Sequence, residues 1–222
     1  MDLFQAFPKL RAQSSLSEQK IALVGISATV WDDSGSYFEI RKPRYWKTDD
    51  AGNTVIGLGG LGGTPKPGET PVECLRRELQ EELGVRPRIE QPEQTYLIQD
   101  WKLTGTLNLS SSKKRPTPLM IILVPPQLGG PNMPDHLAIV CLRTSLRGTP
   151  HLGDLHGFLR IDGNILIEYF SQPERSCTDV MDLPGVSIQT KAAFPDNSIL
   201  RPVLTARAYQ IILNAGYTPT HP

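Results

Sequence analysis

Between Gly63 and Val85 the chain reads GTPKPGETPVECLRRELQEELGV, and no other stretch limits its fold so tightly. Thr70 is a good N-cap, Pro71 suits the first helical position because its missing N–H is not needed there, and Glu73 completes a T-x-x-E capping box. A helix is therefore expected to start at Pro71. Gly84 can take the left-handed conformation that ends many helices, and Arg86-Pro87 supports a stop there. At helical spacing Val72, Leu75, Leu79 and Leu83 form one stripe, so that face packs on a core. Glu78 and Glu82 stand one above the other at i,i+4, with Glu81 a step round the cylinder. Like charges at that spacing destabilise a helix by roughly 0.2–0.5 kcal/mol a pair, so the clustering needs a reason.

One reason is bland: a solvated acidic face, partly neutralised by Arg77 at i,i+4 from Glu81. The other is chemical: hard oxygen ligands converging on Mg2+ or Mn2+, whose double charge removes the repulsion. The loop ahead of the helix favours the second. Gly59-Gly60-Leu61-Gly62-Gly63 lets backbone approach a ligand closely, and Glu69 brings a further carboxylate to the helix entrance. Gly57 to Gly62 also fits G-x-G-x-x-G, but Thr64-Pro65-Lys66-Pro67 separates it from the helix, which excludes a dinucleotide fingerprint. No Gly-Lys-Ser/Thr follows either, so it is not a Walker loop.

At 222 residues the chain suits one large domain, or one domain with appendages. A formal net charge of zero implies no general attraction to nucleic acid or anionic membrane. Cys74, Cys141 and Cys177 are too scattered for a disulfide framework or a zinc site, which fits a cytoplasmic setting. No segment has the length of a membrane span, and Met1 to Gln19 lacks the apolar core of a signal peptide.

Residues 1–20, with Leu3, Phe4, Phe7 and Leu10 at roughly helical spacing, read as a short helix or arm. Ile21 to Trp31 is β-branched and strand-like; Asp32 to Gly35 turns, and Tyr37 to Ile40 resumes as the second strand of a hairpin. Arg41 to Trp46 then mixes cations with rings. It is either a solvated strand end with Trp46 folded onto the core, or a place where Arg41 or Arg44 meets phosphate while Tyr45 or Trp46 stacks on a base. Further strands are expected at Trp101 to Leu109, Leu119 to Val124, His136 to Thr144 and Leu155 to Ile161, with a basic loop at Ser110 to Arg115. Asn164 is expected to cap a helix through Phe170, residues 171–197 to form a long irregular loop, and Leu200 to Ala215 to form an amphipathic helix ended by Gly216.

The order Gly63, five residues, Glu69, seven residues, then Arg77-Glu78-Leu79-Gln80-Glu81-Glu82-Leu83-Gly84-Val85 resembles the complete Nudix box. The chain is similar to Nudix hydrolases over roughly Ile21 to Gly216, with only the box specific. That resemblance implies an α+β fold, the Nudix-type α/β/α sandwich with a mixed β-sheet, over residues 21–216, and leaves 217–222 as a tail. It implies hydrolysis of a nucleoside diphosphate linked to another group, with ADP-ribose, a nucleotide sugar or a nucleoside triphosphate as substrates. Glu78 and Glu82 would be the principal metal ligands and Glu81 a ligand or water-orienting base. Arg77 would orient a box carboxylate, Glu69 would act in the outer shell, and the Gly62 carbonyl would face the metal.

The chain also departs from the family. Leu58 and Leu61-Gly62-Gly63 stand where members often show tryptophan and Pro-Gly-Gly. Asp154, flanked by His151 and His156, is the nearest equivalent of a late-strand glutamate. No SQPWPFPQS run is present, Trp101 stands where ADP-ribose hydrolases carry proline, and Tyr96 lies too close to the box for the dinucleoside polyphosphate pattern. The competing class is a silent Nudix domain that senses a nucleotide or binds a partner. The intact Glu78, Glu81 and Glu82 weigh against it, although the arm and the 171–197 segment are available to an interface such as a homodimer's.

Overall fold

A computed structural model describes residues 1–12, 16–33, 35–109, 116–126 and 133–219. The expected basic loop at 110–115 lies outside them. The β-branched strand Ile21–Trp31 runs through the centre of the sheet. It lies parallel to His136–Leu146 and antiparallel to Gly35–Ile40 and Leu61–Gly63. Beyond His136–Leu146 the order continues through Met120–Val124, Thr95–Gln99 and Lys102–Leu107. On the other side it passes through Gly35–Ile40, Thr54–Gly59 and Ser198–Pro202 to Arg175–Ser176. Parallel and antiparallel pairs both occur along this path, so the sheet is mixed.

Strand alternation sends side chains to two faces, and each face carries one long helix. Ile26, Ala28 and Val30 meet Leu61, Leu75, Leu79 and Leu83 in one buried cluster beneath the helix Pro71–Leu83. Phe38, Ile40, Ile56 and Leu58 meet Phe170, Tyr209, Ile212 and Leu213 in the other, beneath the helix Leu204–Asn214. The result is the α/β/α sandwich. Each fully buried leucine contributes about 1.5–3 kcal/mol, so the stripe on the first helix fixes its rotation about its own axis.

That helix begins and ends where its residues dictate. The Thr70 hydroxyl accepts the Glu73 N–H while the Glu73 carboxylate accepts the Thr70 N–H at 2.9 Å. Gly84 closes it at φ +68°, and a Cβ there would overlap the His151 ring.

The arm is part of the core. Asp2 accepts the N–H groups of Phe4 and Gln5 at 2.8 and 3.1 Å and starts the helical turn Leu3–Ala6. Leu3 and Leu10 are fully buried in the cluster that holds the Pro71–Leu83 helix. No helix among the described residues is long and apolar enough to cross a membrane.

Three expectations need correction. Residues 171–197 are not an irregular loop: they contain the strand Arg175–Ser176, the helix Cys177–Asp182 and the strand Val186–Thr190, which pairs with Gly157–Asp162. Pro173, Pro184 and Pro195 punctuate these elements rather than prevent them. Residues Ser198–Pro202 form a strand parallel to Thr54–Gly59, because Arg201 precedes a proline and is pushed to extended backbone; the closing helix starts only at Leu204. Asn164 caps nothing: the helix Leu166–Phe170 has Ile165 at its N-cap with no side-chain bond.

Because Leu10 fills the same core as the Pro71–Leu83 helix, Leu10→Ala is expected to lower unfolding stability by about 2–5 kcal/mol. Urea unfolding followed by circular dichroism checks this, and a loss below about 0.5 kcal/mol would mean the arm is a loose appendage.

Candidate active site

Arg77 draws the first group of carboxylates together. Its Nε and Nη2 donate to Glu69 Oε1 and Oε2 at 2.8 and 3.0 Å, a bidentate pairing. Its Nη1 donates to Glu78 Oε1 at 2.5 Å and to Glu81 Oε2 at 3.3 Å. One guanidinium thus spans the helix entrance and two successive turns. The Arg77 bonds, helped by the Lys66 N–H at 2.8 Å, hold the Glu69 carboxyl down at about 2 against the effect of burial. The Arg77 guanidinium is itself raised, first by its bond to Glu69 and then by its bond to Glu78.

Glu82 sits apart from that network. It is only 7% exposed, and its Oε2 accepts the Gly62 N–H at 3.0 Å. Burial first, and the charge of Glu39 second, push its carboxyl up to about 9, while the Gly62 N–H opposes the rise. Glu78 shares this end of the site, because a Cβ on Gly63 would overlap its carboxylate. Helix and glycine turn therefore interlock side chain against backbone.

Glu39 is the residue missed in the sequence. The strand Gly35–Ile40 places Tyr37 in the cluster under the Pro71–Leu83 helix, and Phe38 and Ile40 in the opposite one. Alternation then aims Glu39 at the helix side, where it is half-buried, its carboxyl raised by that desolvation and relieved in part by Arg41 and Lys42. A charged residue flanked by Phe38 and Ile40 within a strand was the signal available. Asp154 reaches the same region: its N–H donates to the Glu81 carbonyl at 3.0 Å, and its carboxylate lies 3.9 Å from Lys42 Nζ.

The carboxylates offer hard oxygen donors that fit a divalent cation in chemistry. Among the described residues, no three Asp, Glu, His or Cys groups converge closely enough to enclose one. Arg77 engages Glu69, Glu78 and Glu81 together.

Of the residues expected to meet substrate, Arg41 lines a cleft of about 200 Å³ with Gly59, Gly60, Gly62 and Gly63. Its guanidinium and that of Arg44 lie 4.5 and 4.8 Å from the centroid of the exposed Tyr45 ring. Trp46 packs against the core under the closing helix, donates Nε1–H to the Arg41 carbonyl at 2.7 Å, and meets the His156 ring edge-on at 5.4 Å. His156, lowered by burial and then by Lys191, and His151, packed on Gly84, flank the site without joining the carboxylates.

The family model for the NUDIX domain matches residues 23–140, more than half of the 222 and inclusive of Gly63 to Val85. The chain belongs to the Nudix family. It is a Nudix pyrophosphohydrolase.

Solved structures similar to it include the E. coli ORF135 protein, at 13% identity and TM-score 0.35, covering 69% of this chain and 81% of that one. A Nudix family hydrolase from Clostridium perfringens matches at 13% identity and TM-score 0.40, over 65% of this chain and 83% of that one. A MutT Nudix hydrolase from Burkholderia pseudomallei matches at 18% identity and TM-score 0.30, over 60% and 74%. A comparison with curated proteins finds none that matches.

With its Glu82 carboxyl raised, this Nudix fold is expected to be pH-sensitive in chelator. The folded state binds the Glu82 proton more tightly than the unfolded chain, so the stability from this group is full below about 4.5 and is lost as pH rises through about 9. Thermal unfolding in EDTA should show a Tm that falls between pH 5 and pH 9, and Glu82→Gln should flatten that slope. An equal slope in the variant would show that the Glu82 carboxyl is not the group responsible.

Proposed function

We propose that this Nudix enzyme hydrolyses the pyrophosphate linkage of a nucleoside diphosphate joined to another group, with Mg2+ or Mn2+ held by its box carboxylates. The observation that carries this reading is Glu82: a buried carboxylate tied to the Gly62 N–H, beside Glu78 seated on Gly63. Two carboxylates held at a glycine turn suit a cation that the pyrophosphate also touches. Glu78, Glu82 and the Gly62 carbonyl would hold it, with Glu81 as a further ligand or as the group that orients water. When bound, the cation neutralises the phosphate oxygens, lowers the pKa of water and stabilises the leaving phosphate.

The remaining chemistry belongs to the chain. Arg77 fixes Glu78 and anchors Glu69 in the outer shell. Glu81, with a side chain 47% exposed against 17% for Glu78, would take a proton from the attacking water. The water oxygen bonds to phosphorus, the anhydride P–O bond breaks, and both products leave as phosphates. Arg41, at the cleft, and Arg44 meet the remaining phosphate oxygens, while Trp46 fixes the Arg41 backbone.

The three cysteines are buried free thiols, which suits a reducing cytoplasm. The cleft beside Arg41 leaves ADP-ribose, nucleotide sugars and nucleoside triphosphates as substrates to compare.

Product release from a panel of these compounds, in Mg2+ and in Mn2+, tests the proposal. Glu82→Gln is expected to lower kcat on the order of 10²–10³-fold, the scale for losing one preorganised charge-stabilising group. Turnover preserved in Glu82→Gln would overturn it.

A further inference from the structure

Two of the large apolar side chains left exposed among the described residues line one cleft, and an irregular stretch of backbone carries each of them there. Val24, 37% exposed, is an extra residue in the central strand: Leu23 pairs with Ala138 and Gly25 with Ile139, which leaves Val24 in a bulge with no partner on His136–Leu146. Bulges re-aim side chains and recur beside active sites. Leu204, 38% exposed, opens the closing helix at φ +47°, a left-handed angle that a leucine keeps only under constraint. The constraint acts from both sides. The Val203 N–H donates to the Leu58 carbonyl at 2.8 Å, and the buried Thr205 hydroxyl shares a hydrogen bond of 2.7 Å with that of Ser27.

The cleft they reach borders the box. Val24, Ile139 and Leu204 line it together with Arg41, Gly62 and Gly63. Gly62 donates its N–H to Glu82, and Gly63 leaves no room for a Cβ against the Glu78 carboxylate, so this lining touches the carboxylates that would hold the cation. At about 200 Å³ the cleft is smaller than the roughly 300–1,000 Å³ of pockets that enclose a whole drug-sized ligand, so it takes one ring system and not both ends of the substrate. Its three aliphatic side chains offer no hydrogen bond. Sugar hydroxyls would lose water against them without replacement, whereas a nucleobase presents a flat apolar face and keeps its polar edge free. Arg41 supplies positive charge for the phosphates that follow the base.

We propose that Val24 and Leu204 are specificity-determining residues that cover one face of the substrate's nucleobase, so that the enzyme recognises its substrates by the nucleoside and leaves the linked group outside the cleft. This deepens the function proposed above and rests on it, because the base occupies the cleft only if the phosphates lie at the glycine turn.

The probes are AMP, GMP, CMP and UMP against ribose 5-phosphate, which lacks the base, each titrated into the full-length chain by isothermal calorimetry in Mg2+. The wild type is expected to bind at least one of the nucleotides more tightly than ribose 5-phosphate. Glycine takes a positive φ without strain, so Leu204→Gly removes the side chain and keeps the backbone. That variant is expected to bind the tightest nucleotide about tenfold more weakly, the low end for apolar contacts in a binding pocket, and ribose 5-phosphate as the wild type does. Nucleotide affinity unchanged in Leu204→Gly, or a wild type that binds ribose 5-phosphate as tightly as every nucleotide, would overturn the inference. Turnover separates it from the reading beneath it. Activity lost in Glu82→Gln, with nucleotide binding unchanged in Leu204→Gly, leaves the hydrolase standing without this base site. Activity preserved in Glu82→Gln overturns the function proposed above and this inference with it. Thermal melting reports the fold of each variant, and should Leu204→Gly fail to fold, Val24→Ser carries the same test from the strand side: weaker nucleotide binding supports the proposal and unchanged binding contradicts it.

Discussion

One guanidinium lets this site exist. Three glutamates within one and a half turns, with a fourth at the helix entrance, would weaken an isolated helix. Arg77 binds Glu69, Glu78 and Glu81 at once, converting mutual repulsion into a charge-assisted network that also ties the loop at Glu69 to the second turn of the helix. Glu82 is left outside that network, buried, with its Oε2 accepting the Gly62 N–H. The polarity of the site follows: one end neutralised internally, the other short of positive charge.

The sheet decides where that deficit falls. The leucine stripe Leu75, Leu79 and Leu83 locks the helix to Ile26, Ala28 and Val30, which puts Glu82 against the glycine turn. The same alternation that sends Phe38 and Ile40 to the far core sends Glu39 and Arg41 to the near face. A core assembled for packing thereby sets carboxylates from two different elements on the same face of the sheet. The buried arm, with Leu3 and Leu10 at its centre, closes part of the same core.

Local rules carried the reading of the sequence far in some places and no distance in others. The helix Pro71–Leu83 could be placed to the residue, because Thr70, Pro71, Glu73 and Gly84 each act through a bond or a backbone angle of their own. The strand Ile21–Trp31 was equally legible from its β-branched run. The closing helix was begun four residues early, since Leu200 and Pro202 satisfy a helical stripe as readily as a strand that only its partner Thr54–Gly59 can define. The segment 171–197 failed for the same reason: Val186–Thr190 is a strand by virtue of Gly157–Asp162, a distant neighbour. At the site, the carboxylates of the helix were visible as a motif. Glu39 was not, because its meaning lies in the face it shares with Glu82, not in its sequence neighbours.

The central claim is that Glu78, Glu82 and the glycine turn together hold a divalent cation against the pyrophosphate. Anomalous diffraction at the manganese edge, from crystals equilibrated with Mn2+ at a concentration that supports turnover, tests it most directly. The account predicts a peak within about 2.0–2.4 Å of oxygens from Glu78 and Glu82, the range for hard divalent cations on oxygen ligands. Manganese bound elsewhere, with both carboxylates unligated, would contradict it.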